Sequence, residues 1–136
     1  MRLEGWARQV LERPRRFAVL STVGRDGAPH QAVVWYTLVE DGVLVNSRPE
    51  RVWPTNLRRD PRFSLLVEDG YEWVSIRGRA EPLADPAQAV EDIVAMARRY
   101  HAAEPAKMER TIAKFRSQAR ESFLLQVEHV AEHQDD

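Results

Sequence analysis

Apolar residues recur along this chain with two different periods, and each change of period marks a boundary between elements. Leu3, Trp6, Val10 and Leu11 fall on one helical face and Pro14 cannot continue such a helix, so a lead-in helix is expected over 1–13. Phe17 to Val23 is rich in β-formers, and Gly24-Arg25-Asp26-Gly27 turns it into a second run, Gln31 to Val39, carrying Val33, Val34, Trp35, Tyr36, Thr37 and Leu38. Glu40-Asp41-Gly42 leads into a third strand, Val43-Leu44-Val45-Asn46, which runs out in the polar Ser47-Arg48-Pro49-Glu50. A short helix is expected over 53–59, with Pro54 in its first turn, where a missing N–H costs nothing, and an end before Asp60-Pro61. Phe63 to Val67 and Glu72 to Glu81 flank Glu68-Asp69-Gly70 as a third hairpin, which brings the core of 17–81 to five strands.

Beyond residue 81 the period returns to that of a helix. Asp85-Pro86-Ala87-Gln88 supplies an N-cap, a proline at the first helical position and a glutamine three residues after the cap. Val90, Ile93, Val94, Ala97 and Tyr100 form one face, and Glu104-Pro105 restarts a helix through Met108, Ile112 and Phe115, giving a helical segment over 85–116. Phe123, Leu125 and Val127 then alternate in a last strand over 122–130. The prediction is one α+β domain spanning 1–136, a six-stranded antiparallel β-barrel with flanking helices, since closure removes exposed strand edges.

Composition narrows the function. With 136 residues, 43% of them hydrophobic, the chain is long enough to bury a core, and no repeat or low-complexity tract interrupts it. Twenty basic residues against twenty-one acidic leave a net charge of -1, so no global field draws in nucleic acid or an anionic membrane. The absence of cysteine excludes thiolate metal sites, iron-sulfur clusters and cysteine nucleophiles. No run of about 18 apolar residues and no apolar signal core are present, so a cytoplasmic protein is expected. His30, His101, His129 and His133 show no metal-ligand spacing, and no metal site is expected. G-x-S-x-G, Walker and G-x-G-x-x-G patterns are all missing.

Charge becomes uneven when read locally. Residues 46–62 hold Arg48, Arg51, Arg58, Arg59 and Arg62 against Glu50 and Asp60, a local charge of +3, whereas 121–136 carry five acids and no Lys or Arg. The basic stretch joins a strand end to a helix start, where free N–H groups and the positive helix end favour an anion. Arginine suits phosphate oxygens, and Asn46, Ser47 and Asn56 add neutral donors. A solvated basic face accounts for the same composition.

Four blocks in order resemble the pyridoxamine-phosphate-oxidase-like flavin and deazaflavin split-barrel superfamily, and within it the F420-dependent branch. They are Gly24-Arg25-Asp26-Gly27-Ala28-Pro29-His30, Val33-Val34-Trp35-Tyr36, Val45-Asn46-Ser47-Arg48, and Asn56-Leu57-Arg58-Arg59-Asp60-Pro61-Arg62. The resemblance implies a homodimer of split barrels with a cofactor in each interface groove, F420 or alternatively FMN, and hydride exchange with a small organic substrate. A cofactor-free binding protein on the same fold is the third reading. By position, Asn46 and Ser47 would face the phosphate or ribityl chain, Arg51 would pair with the phosphate, and Val52, Trp53 and Asn56 would contact it around the helix start. Val33, Val34 and Trp35 would lie by the ring. Relatives commonly carry Lys where Trp53 stands, so Arg51 or Arg48 would replace that charge, while Trp53 stacks on a ring, walls the pocket or packs in a core or interface. Trp73 is a candidate for the far side of the cofactor, or for core packing. Tyr36, His30 and Tyr71 are possible proton donors, with nothing in their spacing to select one, and no catalytic residue is assigned.

Overall fold

Residues 3–40 and 42–134 are described by a computed structural model. The elements run α1 (Gly5–Glu12), β1 (Ala18–Val23), β2 (Pro29–Val34), β3 (Thr37–Val39), β4 (Gly42–Ser47), α2 (Val52–Arg59), β5 (Arg62–Asp69), β6 (Glu72–Leu83), α3 (Pro86–Tyr100), α4 (Pro105–Arg116) and β7 (Glu121–His133). All pairings are antiparallel, in the order β2-β1-β5-β6-β7-β4-β3. Among the described residues there are therefore seven strands where the sequence pattern predicts six. The single run expected over 31–39 is broken at Trp35-Tyr36.

That break has an identifiable cause. Strand residues satisfy their N–H and C=O groups on a neighbouring strand, but those of Tyr36 are satisfied by side chains of α3. Its N–H donates to the Tyr100 hydroxyl at 3.3 Å, and its carbonyl accepts from Arg99 Nη1 at 2.6 Å. The break also fixes the topology. β2 and β3 lie at opposite ends of the strand order yet are consecutive in the chain, so the sheet must curl until two residues span its edges. Alternation survives the interruption: Val34 and Tyr36 point inward and are buried, while Trp35 points outward beneath the helices.

The interior is apolar. Leu20, Val43, Val45, Leu65, Val67, Ile76, Phe123 and Leu125 are buried from the strands, α1 contributes Val10 and Leu11, and α2 contributes Trp53 and Leu57. Among its few polar groups is the Tyr36 hydroxyl, which donates to the Leu11 carbonyl at 2.7 Å. Where β6 meets β7 the register shifts between Arg77 and Gly78. A Cβ at Gly78 would stand 1.9 Å from the Gln126 carbonyl oxygen, so the close approach there excludes any side chain.

Outside the barrel, α3 and α4 form a layer over the outer side of β4. Ile93, Met96 and Tyr100 pack with Trp35, Leu44 and Phe115, and Val94 and Ala97 pack with Ile112. The α3 start is as expected: the Asp85 carboxylate accepts from the Gln88 N–H at 3.1 Å, and Pro86 occupies the first turn. β4 is covered on both faces, which explains why it reads as a continuous apolar run. By contrast, on the outer side of β2, β1, β5 and β6, Val33, Val19, Leu66 and Ser75 form a row across four strands in which Val33 and Leu66 are exposed. No helix among the described residues is long and apolar enough to cross a membrane.

Candidate functional site

A cleft of about 250 Å³ opens between the barrel and the helical layer. The inner end of β2 and the bend after it supply Val33, Val34 and Trp35; the end of β4 supplies Asn46 and Ser47; the start of α2 supplies Arg51 and Trp53. Ile93 of α3, Phe115 of α4 and Arg120, just before β7, complete the wall. A second hollow of about 330 Å³, lined by His30, Ala32, Glu50 and Val52, shares Val33, Arg51 and Trp53 with the cleft. Seven residues expected from the sequence thus meet at one place: Val33, Val34, Trp35, Asn46, Ser47, Arg51 and Trp53. Arg120, Ile93 and Phe115 join them without having been singled out. Nothing local marks Arg120, whose relevance depends on β7 lying beside β4.

Three expected residues are not on this cleft. Val52 is 55% exposed and edges the adjoining hollow. Asn56 turns into the barrel, where its Nδ2 donates to Thr22 Oγ1 at 3.1 Å and its Oδ1 accepts from Arg59 at 3.1 Å. Trp73 lies on the outer side of β6, stacked on His133 with ring centroids 5.7 Å apart, in a shallow apolar hollow with Leu66, Glu68 and Ser75. Trp53 does two jobs: it is buried against Phe123, with ring centroids 5.8 Å apart, and its remaining surface walls the cleft.

Trp35 is the rigid aromatic wall. Its ring stacks on Tyr100 at 4.9 Å and 6°, and His101 and Phe115 meet it edge-on at 5.1 and 6.0 Å. Tyr100 is itself fixed, because its hydroxyl donates to the Arg16 carbonyl at 2.6 Å and its ring also stacks with Phe17 at 5.5 Å.

The arginine cluster proves uneven. Arg48 pairs with Glu50 at 2.7 Å, Arg58 pairs with Glu121, Arg59 donates to the Val23 carbonyl, and Arg62 pairs with Asp60 at 2.7 Å. The last pair is tight enough that Arg62, mainly by side-chain and backbone hydrogen bonds, holds the Asp60 carboxyl down to about 2. Arg51 and Arg59 have no carboxylate within salt-bridge distance among the described residues; Arg59 is engaged with the Val23 carbonyl and Asn56 Oδ1, whereas Arg51 faces the cleft. Arg51 also stands at the α2 start, where no side chain caps the helix and Pro54 offers no N–H. Arg120 is the second unpaired cation there. Burial first, then the like charges of Arg51 and Arg48, lower its guanidinium to about 10, which leaves it charged at neutral pH.

The proposed proton donors separate as well. Tyr36 is fully buried, and burial above all pushes its hydroxyl up to about 12. It is a structural group engaged with Leu11. Tyr71 is 82% exposed in the β5–β6 turn, and His30 reaches the adjoining hollow. Among the described residues no three His, Asp or Glu side chains gather as metal ligands.

Chemically, the cleft offers at one end two guanidiniums without a carboxylate partner, beside Ser47, whose hydroxyl donates to the Arg48 carbonyl at 3.1 Å, and an aromatic and aliphatic wall at the other. This donor set suits a flat ring carrying an anionic tail. Residues 4–134 match the pyridoxamine 5′-phosphate oxidase family. Among solved structures, an F420 reductase has a TM-score of 0.74 at 16% identity, with 95% of this chain and 98% of that chain covered. A conserved hypothetical protein from Mycobacterium tuberculosis has a TM-score of 0.73 at 24% identity, covering 96% and 85%. The heme storage protein HutZ from Vibrio cholerae has a TM-score of 0.70 at 18% identity, covering 96% and 94%. At these identities the likeness is one of fold.

Proposed function

The chain belongs to the pyridoxamine 5′-phosphate oxidase family, and on that premise we propose that it is an oxidoreductase whose cleft holds a phosphate-bearing flavin-type cofactor. F420 is the leading candidate, with a small organic molecule as the second substrate. The observation that carries this reading is the pairing of free Arg51 and Arg120 at one end of the cleft with Trp35, Val33, Val34, Ile93 and Phe115 at the other. A deazaflavin, when bound, supplies hydride transfer itself. The chain's own residues would then bind and orient: Arg51 and the N–H groups at the α2 start hold the anionic tail, and Trp35, locked by Tyr100, fixes the plane of the ring. No side chain in the cleft is assigned as a proton donor, because the phenol nearest in sequence, Tyr36, is buried and engaged with Leu11.

The functional unit in this reading is a homodimer. A cleft of about 250 Å³ falls below the usual size of a site that encloses a cofactor, roughly 300–1,000 Å³. Val33, which is 71% exposed, belongs both to the cleft and to the outer row with Val19 and Leu66. A second copy on that row would close the cleft and offer Trp73 from the partner's surface.

Fluorescence titration of the purified protein with F420, FMN and hemin tests the reading. F420 should bind, and FMN more weakly. Hemin should bind more weakly than F420, since no His lines the cleft to ligate its iron. Arg51→Ala should weaken F420 binding by about 1.5 kcal/mol or more, the scale of a charge-assisted bond. Binding of neither F420 nor FMN would sink the assignment, and a purely monomeric species in sedimentation would remove the shared site.

A further inference from the structure

In the sequence Asn46 reads as facing a phosphate or a ribityl chain; its bonding in the structure leaves it no hydrogen to donate to a phosphate. It is buried; its Nδ2 donates to the Ala89 carbonyl and to Ser122 Oγ, both at 2.8 Å, and its Oδ1 accepts from Arg120 Nε at 2.9 Å. These partners fix which end of the amide is which, because a carbonyl only accepts and a guanidinium only donates. An amide nitrogen has two hydrogens, and both are used. Nothing is left to donate to an anion in the cleft.

The same bonds aim a different group. The Ser122 hydroxyl donates to Asp92 Oδ2 at 2.8 Å, and Asp92 Oδ1 accepts from Gln88 Nε2 at 3.0 Å. A line of polar groups therefore runs from α3 through β7 and β4 and ends on Arg120. The Arg120 guanidinium is held at Nε by Asn46 and at Nη1 by Gln118 Oε1, 2.9 Å away, with its Cζ 4.8 Å from the centre of the Phe115 ring. Of its five N–H donors two are bonded, and no carboxylate among the described residues pairs with it. It lines the cleft together with Arg51.

We propose that Arg120 and Arg51 form a two-armed clamp for a phosphate-class anion, and that Asn46 is a positioning residue that acts by holding Arg120. The identity of the molecule bearing the phosphate rests on the reading above; the clamp does not. Two like charges in a half-buried cleft repel each other, and the acid near them, Glu50, is engaged with Arg48. A dianion between the arms supplies the missing countercharge. Arginine suits the task because its planar fork can give one edge to Asn46 and keep another for the ligand.

The test is the rise in melting temperature with inorganic phosphate at constant ionic strength, with a parallel F420 titration of each variant. Wild type should show a saturable rise. Arg120→Met and Arg51→Met should each weaken phosphate at least about tenfold. Asn46→Ala should weaken it several-fold, and Asn46→Ala combined with Arg120→Met should bind no more weakly than Arg120→Met alone, since Asn46 acts through Arg120. Arg120→Lys, which keeps the charge but cannot use one edge for Asn46, should fall between wild type and Arg120→Met. Melting temperatures without phosphate report the fold of each variant. A wild type indifferent to phosphate, or an Arg120→Met variant equal to wild type, overturns the clamp; losses that add in the double variant overturn the role of Asn46. A clamp that behaves as stated in a protein that ignores F420 would refute the cofactor reading and leave the clamp standing.

Discussion

The barrel interior and the α3–α4 layer both bury aromatic side chains, but they hold them by different means. Inside the barrel, Phe123, Leu65 and Ile76 are held by apolar packing, whose worth follows the area they bury. In the outer layer Trp35 lies between Tyr100, His101 and Phe115 at defined angles, and Asn46, Ser122 and Asp92 are joined atom by atom. Apolar burial is non-directional and tolerates exchange of equal volumes, whereas stacked rings and hydrogen bonds specify orientation. The comparison teaches that stability is concentrated in the barrel, and the shape of the cleft in the layer outside it.

The sharpest break of that contrast comes from Leu65→Ala, which removes a fully buried side chain on β5, away from the cleft. It should cost about 3 kcal/mol in urea unfolding, through lost burial and a residual cavity. Phosphate and F420 affinity of the folded fraction should stay within twofold of wild type; a large change in affinity would mean that barrel and cleft are energetically inseparable.

Tyr36 stands at the boundary between the two regions, with its ring in the barrel and its backbone bonded to α3. A phenol is neutral when protonated, so burial raises its folded-state value from 10.0 to about 12. The folded chain therefore keeps that proton longer than the unfolded chain does. The associated stability is complete below about pH 10 and is lost as pH climbs towards 12, on the order of 2–3 kcal/mol. Tyr100, raised by burial too, adds in the same direction. Unfolding free energies at pH 9 and 11.5 should show this fall, and Tyr36→Phe should remove most of it. An equal fall in the variant would place the alkaline sensitivity elsewhere.

The smallest effect expected is that of Arg58→Ala. Its half-exposed pair with Glu121 contributes about 0.5 kcal/mol at most, and phosphate binding should not change, unlike that of Arg51→Met. A tenfold loss of phosphate affinity on removing Arg58 would mean that the whole arginine cluster, and not Arg51, its unpaired member on the cleft, makes the site.

Much of the fold is legible in the chain because it is local. The three hairpin turns, the inward parity of Phe123, Leu125 and Val127, and the Asp85 cap of α3 are each set within a few residues. The strand run over 31–39 misleads for the opposite reason: what interrupts it is Tyr100, 64 residues away. The site divides along the same line. Residues 33–35, 46, 47, 51 and 53 cluster in sequence around two strand ends and a helix start, so they could be gathered by pattern and family likeness. Arg120 reaches the cleft only because β7 lies beside β4, 74 residues from its partner Asn46. Trp73 has suitable chemistry but lies on the outer side of β6.

By itself, then, the sequence determined most of the elements, though not the break at Trp35-Tyr36, and the presence of a basic stretch beside a strand-to-helix junction, since these depend on short-range spacing. Only the tertiary structure decided which of those charges are free. An arginine's availability depends on whether a carboxylate lies within about 4 Å of it, and distant segments set that distance: β7 neutralises Arg58 through Glu121, while the approach to β7 brings Arg120 into the cleft unpaired.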